Sequence, residues 1–118
     1  MESFNHIFGE ARNPYDILRT PGGSSGGDGA LVRLGIVNAS IGSDIAGSLR
    51  IPALFCGIVT LKPTALRLSL KMFTGFFEFH EKLGKSGPCF ESLLLPTIGP
   101  LCRTVDDCER LMKVMVND

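Results

Sequence analysis

Two short loops of this 118-residue chain carry serines on glycine-rich backbone. The first, residues 21 to 30, reads Pro-Gly-Gly-Ser-Ser-Gly-Gly-Asp-Gly-Ala. The second, residues 42 to 52, reads Gly-Ser-Asp-Ile-Ala-Gly-Ser-Leu-Arg-Ile-Pro. A serine hydroxyl needs a nearby base to become a good nucleophile, and acyl transfer also needs N–H donors aimed at the developing oxyanion. These residue types indicate nucleophilic chemistry at a carbonyl carbon.

The second loop supplies the parts of an oxyanion site. Small residues before Ser48 allow successive backbone N–H groups to converge on one point. The predicted donors are the amides of Ile45, Ala46, Gly47 and Ser48. We also expect Asp44 and Arg50 to pair across the loop and hold its shape. The plainer interpretation is a surface ion pair that contributes little to stability.

The first loop matches Gly-x-Ser-x-Gly twice, with Ser24 or Ser25 in the serine position. This pattern is typical of the nucleophile turn of α/β-hydrolases, which follows an apolar strand. Residues 18 to 21 supply no such strand, and only His80 could complete the triad in the order that those enzymes use. A flexible Gly/Ser linker is the other interpretation of this stretch alone.

Composition narrows the classes of function. The 12 basic and 12 acidic residues balance, so nothing indicates a nucleic-acid or anionic-membrane partner. Hydrophobic residues make up 44% of the chain, which is high for a small domain with a large exposed surface. This composition favours a segment from the interior of a larger protein. Four cysteines without a Cys-x-x-Cys pair and two histidines predict no metal site and no cofactor, with reduced and mostly buried thiols.

The start of the chain lacks the basic and apolar regions of a signal peptide, and no apolar run reaches membrane-spanning length. Localisation is therefore undetermined by the sequence, as is membrane attachment of any parent protein. Oligomeric state is equally undetermined.

Periodicity predicts the elements that position the two loops. We expect a turn at 13–16, a helix from residue 25, a short strand at 37–41, a loop at 42–47, a helical turn at 51–56 and a strand at 57–61. Residues 1 to 12 are weakly patterned, and 65 to 96 predict a long connection. An extended segment at 97–103 precedes a final helix, opened by Thr104 and carrying the apolar stripe Val105, Cys108, Leu111, Met112 and Met115.

The two loops and the small-residue helix between them resemble the amidase signature family. Ser24 and Ser48 are 24 residues apart, which is that family's spacing. Within the family, residues 13 to 23 are most similar to the fatty acid amide hydrolases of animals. The resemblance covers residues 7–64 and 97–116, while 65–96 diverge, so residues 1–118 are identified as a partial amidase domain. It implies an α/β fold, a fragment of an α/β/α sandwich with a mixed sheet.

The resemblance also implies a mechanism. Ser48 matches the nucleophile that attacks an amide carbonyl, and similarity to the fatty acid amide hydrolases implies a lipid amide. Ser24 matches a second serine, which follows a cis peptide bond at Gly23 and relays the proton to a buried, neutral lysine. Residues 45 to 48 match the oxyanion hole.

Three departures from the family pattern stand out. No lysine precedes Ser24, and Lys62 matches a different position, a Lys-Pro-Thr turn. Arg33 stands where the pattern has a small residue, and we expect it either to disturb the helix or to extend into solvent. Residues 65 to 96 match poorly.

We therefore expect an incomplete amidase, and we expect these 118 residues to be inactive by themselves. We also expect open sheet edges and marginal stability. The alternative is a non-catalytic, amidase-derived domain that binds or assembles with another chain.

Overall fold

The computed structural model describes residues 2–65, 67–68 and 97–116. The elements in chain order are β1 (Phe4–Asn5), β2 (Gly9–Glu10), α1 (Gly26–Arg33), β3 (Ala39–Asp44), α2 (Arg50–Cys56), β4 (Val59–Thr60), β5 (Thr97–Cys102) and α3 (Val105–Met115). The α/β class predicted from the sequence is confirmed.

A three-stranded sheet in the order β3-β5-β4 forms the centre of the described part. Strand β5 pairs antiparallel with β3, from Ala39 opposite Cys102 to Asp44 opposite Thr97, and antiparallel with β4. Every residue of β5 is buried, since this strand lies between the other two. Helix α1 packs against β3 and β5, and α3 packs against β5 and β4. The predicted extended segment at 97–103 is thus confirmed as a strand.

Helix α1 ends in a Schellman motif. The Ile36 N–H donates to the Leu31 carbonyl over 3.1 Å, and the Gly35 N–H donates to the Val32 carbonyl over 3.1 Å. Gly35 has φ +72°, the left-handed conformation that this motif requires. Arg103, just after β5, donates to the Val32 carbonyl over 3.2 Å and therefore ties the helix end to the sheet.

Helix α3 begins where the sequence predicts. Thr104 is its N-cap, and the hydroxyl accepts from the Asp107 N–H over 3.1 Å. On the inner side Cys108 is buried, while Leu111, Met112 and Met115 are half-buried and Val105 is exposed. The predicted stripe is therefore inward-facing except at its first residue.

A small apolar core joins α1, the second serine loop and β5. Val32, Leu49 and Leu101 have no exposed surface, and Val37 and Ile58 pack against them. Leu49 directly follows Ser48 in the chain, so the core anchors the loop that carries the predicted nucleophile.

Several elements differ from the sequence prediction, among them the strand predicted at 57–61, which is confined to Val59–Thr60. The strand predicted at 37–41 begins at Ala39 and continues through Asp44, because residues 42 to 44 pair with residues 97 to 99 of β5. The predicted loop is therefore shorter than 42–47. Helix α2 has 7 residues rather than one turn. Residues 1 to 12, predicted as weakly patterned, contain the antiparallel pair β1–β2.

None of the helices in the described ranges is long and apolar enough to span a membrane.

Candidate active site

Asp44 organises the second serine loop. Its side chain has no exposed surface. One carboxylate oxygen accepts from the Gly47 N–H over 2.8 Å, and the other accepts from the Leu49 N–H over 3.1 Å and the Arg50 N–H over 3.3 Å. The loop between strand β3 and helix α2 is thus wrapped around a single carboxylate.

Arg50 completes this arrangement with a two-point ion pair. Its Nε donates to Asp44 Oδ2 over 3.0 Å, and its Nη2 donates to Asp44 Oδ1 over 2.9 Å. The predicted pairing of these residues is confirmed. The surface-pair interpretation is wrong for the Asp44 half, since that carboxylate is buried although Arg50 is 54% exposed.

The hydrogen bonds keep the Asp44 carboxylate ionised. Burial acts to raise its pKa, but the Arg50 side chain and the amides of Leu49, Gly47 and Arg50 outweigh burial and lower the pKa to about 2. The same contact raises the pKa of Arg50. A charged, fully hydrogen-bonded carboxylate therefore lies under the loop at neutral pH.

The backbone N–H groups of the second serine loop differ in whether they have a hydrogen-bond acceptor. The Gly47 N–H is directed to Asp44, so in this conformation it points into the loop rather than towards a ligand. Gly47 has φ +122°, and an added Cβ would lie 2.8 Å from Ile51 Cδ1. The amides of Ile45 and Ala46 make no hydrogen bond with any residue that the structure describes. Of the four predicted oxyanion donors, Gly47 is therefore committed to Asp44, while Ile45 and Ala46 have no amide partner among the described residues.

The first loop presents Ser24 at the surface. Ser24 is exposed, whereas Ser25 is only 6% exposed. The peptide bond between Gly23 and Ser24 is cis, as the family resemblance implied. Ser24 lines a cleft of about 850 Å³ between the β1–β2 hairpin and α1. Ser48 is half-buried and is not among the described residues that line this cleft.

Direct contacts join the two serine loops. The Ser25 N–H donates to the Ser48 carbonyl over 3.2 Å. Gly22 has φ +83°, and an added Cβ there would lie 2.9 Å from Ile51 Cγ2. An added Cβ at Gly42 would lie 2.7 Å from Ser25 Oγ. The structure therefore places the loops side by side, with Gly22 and Gly42 at two points where an added Cβ would collide with the other loop.

Two further polar residues hold the site, and no local sequence pattern indicates either of them. Ser3 contacts the first loop through its hydroxyl. The Asn13 side-chain amide donates to the Thr20 carbonyl over 3.2 Å and to the Phe55 carbonyl over 3.0 Å, which ties the approach to the first loop to helix α2. The contacts of Ser3 and the Asn13–Phe55 contact span many residues, so short-range spacing does not reveal them.

Arg33 is exposed and lies over the Tyr15 ring, 4.5 Å from its centroid, and α1 continues up to Arg33 without disturbance. Cys56, Cys102 and Cys108 are buried free thiols, as predicted. Cys89 and His80 lie outside the described residues, so the α/β-hydrolase alternative that needs His80 stays a prediction. Within the described ranges no group of three or more His, Cys, Asp or Glu side chains could hold a metal ion.

Comparison with known proteins decides the family. The model of the Amidase family matches residues 1–118, the whole of the chain. The chain belongs to the amidase signature family. Relatives of this amidase chain include the Vitamin D3 hydroxylase-associated protein of Gallus gallus, which is 42% identical over 113 residues, covering 95% of this chain and 22% of the relative.

Two further relatives extend the comparison of this amidase chain. A glutamyl-tRNA(Gln) amidotransferase subunit from Sulfurihydrogenibium sp. (strain YO3AOP1) is 44% identical over 111 residues, covering 94% of this chain and 20% of the relative. The solved structure of a fatty acid amide hydrolase has 36% identity and a TM-score of 0.76, covering 98% of this chain and 18% of that one. The amidase chain therefore spans about a fifth of the length of the relatives that it matches.

Proposed function

We propose that this chain carries the nucleophile segment of a hydrolase that cleaves carboxylic amides, with Ser48 as the nucleophile and Ser24 as its proton relay. The observation that carries the proposal is the hydrogen bond from the Ser25 N–H to the Ser48 carbonyl, 3.2 Å long, which holds the two serine loops together. The buried Asp44 carboxylate supports it by fixing the backbone on both sides of Ser48. Membership of the amidase family supports amide cleavage as the reaction class.

The proposed reaction proceeds in two steps, acylation of Ser48 and hydrolysis of the acyl–serine ester. Ser48 Oγ attacks the amide carbonyl carbon while its proton passes to Ser24 Oγ, and the Ser24 proton passes to a base. The carbonyl oxygen becomes an oxyanion, stabilised by loop amides that include those of Ile45 and Ala46. Collapse breaks the C–N bond, and the relay returns a proton to the leaving amine. Water then hydrolyses the acyl–serine ester and releases the acid.

The family resemblance implies a lysine base that precedes the first serine loop in the chain. The first lysine of the sequence is Lys62, which follows both serines. Positioned general bases contribute about 10²–10⁴-fold to such reactions. We therefore propose that residues 1–118 alone do not turn over amides above the level of a Ser48→Ala variant. Amide turnover by the purified 118 residues that disappears in Ser48→Ala would contradict this.

For the substrate we propose a lipid amide. The support is the stretch from Asn13 to Gly23, which resembles the lipid-amide branch of the family. Fluorophosphonate probes with alkyl chains of two and twelve carbons test the idea, because these reagents are more electrophilic than an amide and a base in the buffer can take the proton that the missing group would accept. We expect the longer probe to label Ser48 about tenfold faster, because each buried methylene adds favourable apolar contact. Equal rates would contradict a lipid-binding preference.

A second candidate is a non-catalytic domain that assembles with another polypeptide. The observation that favours it is the number of large apolar side chains on the surface, among them Ile7, Phe8, Leu18 and Leu54, each at least 77% exposed. Such exposure is typical of a surface that is covered in an assembly. Labelling separates the candidates: a purely structural domain leaves Ser48 no more reactive than Ser40, whereas the nucleophile proposal requires selective reaction at Ser48.

A further inference from the structure

Ser3 lies in the segment leading into the β1–β2 hairpin, 21 residues before Ser24. The hairpin holds it in place, since the Ala11 N–H donates to the Ser3 carbonyl over 2.8 Å. The segment lies directly on the first serine loop: an added Cβ at Gly23 would lie 2.6 Å from the Glu2 carbonyl oxygen. No side chain other than hydrogen fits at Gly23 while this segment is docked.

The Ser3 hydroxyl contacts three backbone groups around Ser24. It accepts from the Gly26 N–H over 2.9 Å. It lies 3.1 Å from the Gly22 carbonyl and 3.0 Å from the Ser24 carbonyl, and its single proton is donated to one of them at a time. One hydroxyl therefore restrains the backbone before and after Ser24.

This contact replaces the normal cap of helix α1. Ser25 is the N-cap residue, but its side chain makes no capping hydrogen bond. The first helical N–H groups need acceptors from outside the helix. Ser3 supplies that acceptor to Gly26 from a segment 23 residues away. Loss of the Ser3 hydroxyl thus frees both the helix start and the loop that presents Ser24.

We propose that Ser3 is a positioning residue for the amide-hydrolase site: its hydroxyl fixes the orientation of Ser24 as the proton relay of Ser48. The inference rests on the proposed function for the roles of Ser24 and Ser48, and on the three contacts above for the role of Ser3. Ser3 touches no reacting atom and acts through the backbone of the first loop alone.

The test uses the 118-residue chain with Ser3→Ala, Ser3→Thr and a control, Thr60→Val. Thr60 is a matched control because its hydroxyl also donates to a backbone carbonyl, that of Pro100 in β5, and because Thr60 lies in β4, at the sheet edge opposite β3. Two quantities are measured: hydrogen exchange of the Gly26 amide, and the rate of Ser48 labelling by an alkyl fluorophosphonate. Thermal melting of each variant reports general loss of stability.

We expect Ser3→Ala to raise Gly26 exchange about tenfold and to slow Ser48 labelling about tenfold, the size of effect that one lost hydrogen bond gives. Ser3→Thr keeps the hydroxyl and restores both quantities. Thr60→Val lowers the melting temperature and leaves both near the wild-type values. Unchanged Gly26 exchange in Ser3→Ala, or equally slow labelling in Thr60→Val, overturns the proposal.

The two proposals fail in different ways. If wild-type Ser48 does not react while Ser3→Ala still raises Gly26 exchange, the proposed function fails and Ser3 is reduced to a structural cap. If wild-type Ser48 reacts and Ser3→Ala changes exchange but not labelling, the function stands and the positioning role is overturned.

Discussion

The Gly47 N–H and the Asp44 carboxylate face each other within the second serine loop, with 2.8 Å between the nitrogen and Oδ1. The same buried carboxylate accepts from Leu49, so it holds the backbone on both sides of Ser48. The shape of the predicted nucleophile loop therefore depends on the charge of one side chain.

That dependence predicts a loss of stability in acid. The pKa of Asp44 falls from 3.8 to about 2 on folding, so the folded state binds its proton less tightly than the unfolded state. The stabilisation is present above pH 4 and is lost as the pH falls towards 2. The shift corresponds to about 2 kcal/mol. Urea unfolding at pH 6 and pH 2.5 measures it, and Asp44→Asn, which lacks the titrating group, should show a flatter dependence. Identical pH curves for the two chains would contradict the account.

The close approach of the two loops predicts that Gly42 does not tolerate a side chain. A Cβ at Gly42 would meet Ser25 Oγ at 2.7 Å and Leu49 Cδ2 at 2.8 Å. We expect Gly42→Ala to cost about 1–3 kcal/mol of unfolding free energy. Gly27→Ala is the matched control, because nothing lies within 4 Å of an added Cβ at this helical position.

In that control, alanine should instead stabilise the helix by about 0.5–1 kcal/mol. Urea denaturation compares both variants with the wild type. An equal effect of the two substitutions would show that the loops are not packed as described.

The stacking of Arg33 on Tyr15 predicts a modest coupling between them. The guanidinium carbon lies 4.5 Å from the ring centroid, and the Tyr15 residue is 60% exposed. Contacts of this kind at exposed sites contribute about 0.5–1 kcal/mol. A double-mutant cycle with Arg33→Gln and Tyr15→Leu measures the coupling in unfolding free energy. Additive single effects would mean that Arg33 simply extends into solvent.

Burial of the thiols predicts slow alkylation in the folded chain. Burial raises the pKa of Cys102 to about 11, and the neighbouring Cys108 thiol and Asp107 carboxylate act in the same direction. At pH 8 about one Cys102 in a thousand is then a thiolate, the only form that reacts. Iodoacetamide followed by peptide mass spectrometry should modify Cys102 at least about a hundredfold more slowly in buffer than in about 8 M urea. Comparable rates would contradict its burial.

The sequence predicted the parts of the fold that short-range patterns determine. The Thr104 cap and the helix after it, the strand at 97–102 and the pairing of Asp44 with Arg50 all rest on residues a few positions apart. The end of β3 was misplaced, because glycine and serine at 42 and 43 are typical of loops, and only the ladder with β5 makes them extended. Tertiary pairing outweighed local preference there.

The contacts that the sequence did not predict are long-range ones. Ser3 reaches Gly26, and Arg103 reaches the Val37 carbonyl 66 residues earlier in the chain. Each side chain is the hydrogen-bond partner of a backbone group that is far away in the sequence. No short motif encodes such a contact. The use of the Gly47 amide by Asp44 was also not predictable, since spacing alone does not say whether a loop N–H faces a ligand or its own loop.

We propose, as the centre of this account, that Ser48 is the nucleophile and that the first serine loop serves it. The most direct test is to react the folded chain with an alkyl fluorophosphonate and to identify the modified residue by peptide mass spectrometry, with Ser48→Ala and Ser24→Ala in parallel. We predict modification at Ser48, none at any serine in Ser48→Ala, and a rate at least about tenfold lower in Ser24→Ala, because Ser24 then no longer passes the Ser48 proton to a base in the buffer. Modification at Ser24 or Ser25 instead, or equal labelling of Ser48→Ala, would contradict the assignment.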